Sequence, residues 1–135
     1  MKKIMHNSLG IALAVAIGIT LATSASAAAG TSSSGVKNAS IVPGAATLAD
    51  KAFSPNPINV KVGGSVKWTD KDATAPHTVT SGTGPSDPNK EKEFDSGLSM
   101  LLTFGKTFSH TYKTAGEIPY FCQIHPTMVG KVVVS

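Results

Sequence analysis

The sequence predicts an all-β fold, an antiparallel β-sandwich of about eight short strands. Three observations carry that expectation. Apolar and polar residues alternate over short runs, most clearly at 58–62, 65–69 and 106–112. Clusters of Gly, Pro, Ser and Asp punctuate the chain between such runs. Beyond residue 30 no stretch sustains the 3.6-residue periodicity of a long helix.

Taken in order, residues 37–42 read as the first strand, ended by Pro43 and Gly44. Residues 45–52 fit either a short helical turn or a loop. Residues 53–57 are turn material, because Pro55 and Pro57 withhold backbone donors. The runs 58–62 and 65–69 flank Gly63-Gly64 and predict a hairpin with a two-residue loop. Trp68 falls on the inward face of the second run as a core filler. Residues 70–75 read as a loop, 77–80 as a short strand, 81–92 as a long surface loop and 93–96 as a short edge strand. Segment 97–104 carries Leu98, Met100, Leu101, Leu102 and Phe104 yet is loop-like, which implies a core lid or an exposed apolar patch. Met100 is assigned to packing there. Residues 106–112 place Phe108, His110 and Tyr112 on one face. Ala115-Gly116 turns the chain, 118–121 is a strand, and 130–134 closes the domain.

The 135-residue chain holds one domain at most. Its first residues have the layout of a secretory signal: Lys2 and Lys3, an apolar run from Leu9 to Ala22, then Ala25-Ser26-Ala27. The run is about 14 residues, short of the ~20 that span a bilayer as a helix. The expected organisation is a signal peptide at 1–27, a small, polar, flexible tether at 28–36 and a folded domain at 37–135. The protein is expected to be exported to the periplasm or another extracytoplasmic space, and membrane-tethered only if the N-terminal segment is not cleaved. Without Lys2 and Lys3, ten lysines face eight carboxylates, and there is no arginine. With no basic stripe interleaved with aromatics, nucleic acid is not an expected partner.

The chemistry concentrates in residues 120–128. This stretch holds the chain's single cysteine, Cys122, with His125 three residues on and Met128 three beyond that. One cysteine allows no internal disulfide, and a free thiol in an oxidising compartment is a liability unless it is buried or bound to metal. A thiolate, an imidazole and a thioether on one short loop form a soft donor set that favours copper, and a trigonal His, His, Cys site with a long axial Met needs one more histidine. His77, after Pro76, supplies it. The metal ligands expected are therefore His77, Cys122, His125 and Met128, with one copper ion cycling between Cu(I) and Cu(II). Singly, each has a plainer reading: a buried Cys acts as a small hydrophobe, a Met as core and a His as surface. The combination at this spacing outweighs them. His110, mid-strand between Phe108 and Tyr112, is expected to be structural, and His6 lies in the signal segment.

These residues resemble the small cupredoxins of the plastocyanin, amicyanin and pseudoazurin group. The likeness covers about residues 37–135. It runs through Asn59-Val60-Lys61-Val62-Gly63, Val66-Lys67-Trp68, Pro76-His77, and Tyr120-Phe121-Cys122 through His125 and Met128 into Gly130-Lys131-Val132. The two-residue gap between His125 and Met128, with Pro126, is most similar to amicyanin. The resemblance implies a cupredoxin-like Greek-key β-sandwich, a type 1 (blue) copper and one-electron transfer. It also implies a solvent-facing His125 ringed by an apolar patch where larger redox proteins dock transiently on a monomer. Two departures stand out. Thr78 occupies a place where many relatives have an Asn that ties the two ligand segments together, so that tie is expected only in part. Ile124 stands where many relatives have Pro and keeps a backbone N–H that can reach the Cys122 sulfur and raise the reduction potential.

The function expected is one-electron transport between redox partners outside the cytoplasm. The alternative is a copper chaperone or storage protein, which usually offers exposed, Met-rich or paired-Cys sites. An enzyme is not expected: Cys122 and His125 could pair as nucleophile and base, but no oxyanion donors or orienting third group accompany them.

Overall fold

A computed structural model describes residues 35–135. The expected signal peptide and most of the expected tether lie outside the described residues. Eight strands form: β1 Val36–Ile41, β2 Phe53–Ser54, β3 Ile58–Val60, β4 Ser65–Asp70, β5 Thr80–Ser81, β6 Thr107–Thr111, β7 Gly116–Phe121 and β8 Val129–Val134. Two 3-10 turns, Ala45–Thr47 and Ala49–Lys51, occupy the segment read as a helical turn or loop. The strands make two four-stranded sheets, in the orders β2-β1-β4-β6 and β3-β8-β7-β5.

The sheets are mixed, not purely antiparallel. β1 runs parallel to β4, from Val36 opposite Ser65 to Ile41 opposite Asp70, and β3 runs parallel to β8. The expected hairpin across Gly63-Gly64 is therefore not formed: β3 and β4 lie in different sheets. Their alternation is real, since Ile58, Val60, Val66 and Trp68 are all buried. Alternation specifies which face turns inward and is silent about which strand lies alongside. At the corner, Val62 N–H donates to Ser135 C=O and Gly63 N–H to Tyr112 C=O, so the linker is claimed by the ends of both sheets. Gly63 has φ +86°, a conformation that favours glycine. At Gly64, an added Cβ would stand 2.6 Å from Val60 Cγ2 and 2.9 Å from the Lys61 carbonyl oxygen.

Other segments differ from the sequence reading for local reasons. Phe53 and Ser54, read as turn, pair antiparallel with Ile41 and Ser40, because the prolines follow rather than interrupt them. Segments 77–80 and 93–96, each read as a strand, are mostly irregular, with isolated bridges between His77 and Leu102 and between Thr80 and Asp95. Two of their donors go to side chains: Thr78 N–H to Cys122 Sγ at 3.3 Å and Val79 N–H to Ser96 Oγ at 2.9 Å. Of the two outcomes open to loop 97–104, exposure dominates. Leu98, Met100 and Phe104 are 57%, 75% and 67% exposed, while Leu102 is buried. The assignment of Met100 to packing is thus wrong; Leu102, bridged to His77, takes the inward place.

The core sits between the sheets around Trp68, which is fully buried as expected. Its ring lies 5.4 Å from that of Tyr120, 5.5 Å from Phe94 and 5.9 Å from Phe108. Aromatic rings at such separations add about 0.5–1.5 kcal/mol per pair beyond burial. Tyr120 in turn lies over Gly130, its register partner on β8. A Cβ at Gly130 would collide with Tyr120 Cζ, Oη and Cε1, so this glycine makes room for the ring two residues before Cys122. Gly130→Ala is therefore expected to lose on the order of 1–3 kcal/mol, the usual cost of overpacking a well-filled core. Urea denaturation of the metal-free protein measures it, and a loss below about 0.5 kcal/mol, the size of an ordinary surface change, would contradict this role of the glycine.

Candidate metal centre

The site lies where the β7–β8 loop meets the segment before β5. β7 delivers Cys122 at its end. The loop then closes on itself: Cys122 N–H donates to Met128 C=O at 3.1 Å, and Met128 N–H donates to His125 C=O at 2.9 Å. Three sequence-predicted residues thus share one tight turn. The fourth, His77, arrives from the other side, held by reciprocal main-chain hydrogen bonds with Leu102.

Cys122, His77 and Met128 are fully buried, and His125 is partly exposed. Cys122 Sγ lies 3.9 Å from His77 Nδ1 and 3.8 Å from His125 Nδ1, and the three donor atoms fall within 4.8 Å of one another. A nitrogen about 2.0 Å and a sulfur about 2.3 Å from a shared ion, at tetrahedral to trigonal angles, stand roughly 3.5–3.7 Å apart, within a few tenths of an ångström of these separations. The trio therefore fits a metal, and its sulfur and two neutral nitrogens fit copper. Met128 shares the loop and the burial. His110 is elsewhere, as expected: on β6 opposite Val66, its ring lies 4.8 Å from that of Tyr112, and burial pushes its pKa down.

The electrostatics agree with a thiolate site. Burial alone pushes the Cys122 thiol up, but the His77 imidazole outweighs it, helped by the backbone N–H groups of Thr78, His125 and Ile124, and the pKa falls to about 6. Burial opposes a charged His77, yet Cys122 and Asp72 outweigh it and raise its pKa. Asp72, in a loop that nothing in the sequence marks out, is completely buried and meets His77 Nε2 through Oδ2 at 2.9 Å. Burial raises its pKa, but hydrogen bonds from Thr74 and His77 hold it well below the usual carboxylate range. The signal available in the sequence is weak: the alternation Val66, Trp68, Asp70 turns an aspartate inward at the end of β4, with Asp72 two residues on.

Thr78 ties the two ligand segments together more fully than expected. Its N–H donates to Cys122 Sγ, and its Oγ1 accepts the Gln123 N–H at 2.8 Å. Because Thr80 Oγ1 donates to Asp95 Oδ1 at 2.8 Å, the 3.0 Å contact between the two hydroxyls is a bond from Thr78 to Thr80. Gln123 Nε2 donates to the same Asp95 oxygen at 3.1 Å. Every hydroxyl in this chain has a defined direction, so the network is satisfied. Thr78→Val keeps the shape but strands the Gln123 N–H. It is expected to cost about 1–3 kcal/mol, the desolvation penalty of an unpaired buried donor, while Thr78→Ser costs much less. Thermal unfolding of both variants checks this, and equal losses would refute the role of the hydroxyl.

Comparison with known proteins agrees with this geometry. Residues 42–135 match the family of copper binding proteins, plastocyanin/azurin family. Amicyanin-alpha of Methylorubrum extorquens is 33% identical over 88 residues, 65% of this chain and 68% of that protein. Chloroplastic plastocyanin of Tetradesmus obliquus is 32% identical over 100 residues, 73% of this chain and 68% of that protein. Among solved structures, a purple cupredoxin from Nitrosopumilus maritimus superposes with a TM-score of 0.62 at 30% identity, covering 73% of this chain and 99% of that one. An oxidised amicyanin variant gives a TM-score of 0.55 at 27% identity, over 74% of this chain and 82% of that one. A two-sheet sandwich with a buried His-Cys-His cluster, matched over most of the chain by proteins of one kind, places this chain in the plastocyanin/azurin family of copper-binding cupredoxins, with one copper per chain.

Proposed function

We propose that the protein is a one-electron carrier working outside the cytoplasm, with its copper held by His77, Cys122, His125 and Met128. The observation that carries this reading is the unequal burial of the two histidines. His77 and Cys122 are sealed in the protein, while His125 is partly open to solvent. A carrier needs a donor set kept from water and one edge through which an electron can pass. Copper supplies the one-electron couple, with a potential tuned by the axial ligand and by hydrogen bonding at the sulfur. The protein's part is to hold the donors still, and the hydrogen bonds across Thr78, Cys122 and Gln123 do so.

The partners are larger redox proteins that dock transiently near His125, beside Ile124, which is 37% exposed. The protein acts as a monomer. Amicyanin and plastocyanin among its relatives support this reading. Export rests on the N-terminal layout of lysines, apolar run and Ala-Ser-Ala. No helix among the described residues is long and apolar enough to cross a membrane. A catalytic Cys–His pair is disfavoured by burial, because a substrate cannot reach a fully enclosed Cys122. The same enclosure argues against a chaperone or store, which must hand its metal over.

Titration of the metal-free domain with Cu(II) is the decisive test. The expected result is an intense visible thiolate-to-copper charge-transfer band that saturates at one equivalent and disappears in Cys122→Ser. Voltammetry should then show a reversible one-electron couple, and copper should leave only slowly to a strong chelator. A colourless copper complex, or rapid transfer of Cu(I) to a chelator, would move the assignment to copper handling. Ile124→Pro removes an N–H that lowers the Cys122 pKa. Stabilising thiolate charge weakens its donation to Cu(II), so loss of that N–H should lower the reduction potential. An unchanged or raised potential contradicts that role for Ile124.

A further inference from the structure

The buried pair of Asp72 and His77 does more than fill space. A neutral imidazole carries one N–H, and whichever nitrogen binds a metal must be the other one. His77 turns Nδ1 toward Cys122 Sγ and Nε2 toward Asp72 Oδ2, 2.9 Å away. An ionised carboxylate only accepts, so the proton on Nε2 is fixed by its partner. Asp72 is itself immobilised. Its Oδ1 accepts the Thr74 N–H at 2.9 Å and the Thr74 hydroxyl at 2.5 Å, and its own N–H donates to Asp70 Oδ1 at 2.7 Å. Ring orientation and tautomer at His77 are thus dictated from the loop between β4 and β5. His125 lacks an equivalent: among the described residues, no side chain or carbonyl partners its Nε2.

A neutral acceptor would orient His77 equally well. Placing a full negative charge there, with both side chains completely enclosed, carries a desolvation cost that good geometry only partly offsets. The charge therefore calls for a reason beyond orientation. A carboxylate behind a ligating imidazole raises the basicity of the metal-facing nitrogen. That favours the more positively charged oxidation state of whatever ion sits in front.

We propose that Asp72 is a positioning residue of the metal centre, fixing His77 as the Nε2–H tautomer and lowering the reduction potential through its charge. The inference rests on the reading of His77 as a ligand. Asp72→Asn keeps an acceptor of similar shape and removes the charge. In the copper-loaded protein at fixed pH, the expected result is a retained charge-transfer band, a higher reduction potential and roughly 10–100-fold weaker copper binding. Glu117→Gln, at an exposed carboxylate that pairs with Lys131, controls for net charge and should move none of these. A potential in Asp72→Asn no higher than that of Glu117→Gln overturns the proposal.

A second measurement needs no variant. In the Cu(I) protein, imidazole nitrogen NMR should show His77 protonated at Nε2 with slow solvent exchange, and a proton on Nδ1 or rapid exchange at Nε2 overturns the proposal even if Asp72→Asn fails to fold. His77→Ala separates ligation by His77 from tuning by Asp72. If it leaves the band and the one-copper stoichiometry intact, the ligand reading has failed. If it abolishes the band while Asp72→Asn leaves potential and affinity unchanged, only the role of Asp72 has failed.

Discussion

The centre depends on one constraint: two points of the chain some 45 residues apart must meet inside the protein and stay in register. The sheet contributes little directly. β5 pairs with β7 through only two residues, Thr80 opposite Phe121 and Ser81 opposite Tyr120, and the ladder stops before His77 and Cys122 are reached. Side-chain chemistry takes over from there. Thr78 donates from its backbone to the cysteine sulfur and accepts from the residue after that cysteine, so one threonine extends the register across both ligand segments. The irregularity of 77–80 follows from this. A regular strand would direct the Thr78 and Val79 N–H groups to a neighbouring strand's carbonyls, whereas here they go to a sulfur and a serine hydroxyl.

The same constraint explains the crowding beneath the site. Tyr120 stands two residues before Cys122, and its ring is fixed from several sides: Gly130 beneath, Phe53 at 4.7 Å and Trp68 at 5.4 Å. A strand end held so tightly has little freedom to move the cysteine. Protein interiors packed near crystal density transmit strain rather than absorb it. A metal whose two oxidation states prefer different surroundings is thereby kept in one geometry, which is what rapid electron exchange requires. Rigidity is supplied by the core, and fine placement by hydrogen bonds.

Much of this is legible in the sequence because residue type carries it. A lone cysteine, two histidines and a methionine at these spacings name a soft donor set irrespective of the fold, and alternating runs name inward faces. Strand partnership is not legible. The runs at 58–62 and 65–69 look like a hairpin because Gly-Gly suits a tight turn, yet the same residues serve a corner between sheets, where main-chain donors reach Ser135 and Tyr112. Thr78 looks a weak substitute for Asn when side chains alone are compared, whereas its backbone N–H does half of the tying. Asp72 escapes notice because an aspartate in a loop is ordinarily solvated. Nothing local distinguishes one that the fold encloses against a histidine. Met100 misleads for the opposite reason: an apolar residue in an apolar run usually packs, but here Leu102 takes the inward position.

The two histidines then divide the work by surroundings rather than by chemistry. Both present Nδ1 to the same sulfur at nearly equal distance. His77 is enclosed, hydrogen-bonded by main chain to Leu102 and backed by a carboxylate, so it sets geometry and charge. His125 lies on a loop closed by only two main-chain hydrogen bonds, partly open and without a partner on its outer nitrogen among the described residues. On the docking proposed above, a carboxylate behind His125 would place charge on the face that a partner covers, with the cost of desolvating it at each encounter. Keeping the charged partner behind the buried histidine places it in the interior while the outer edge stays accessible, so the asymmetry in burial and the asymmetry in hydrogen bonding follow from the same demand.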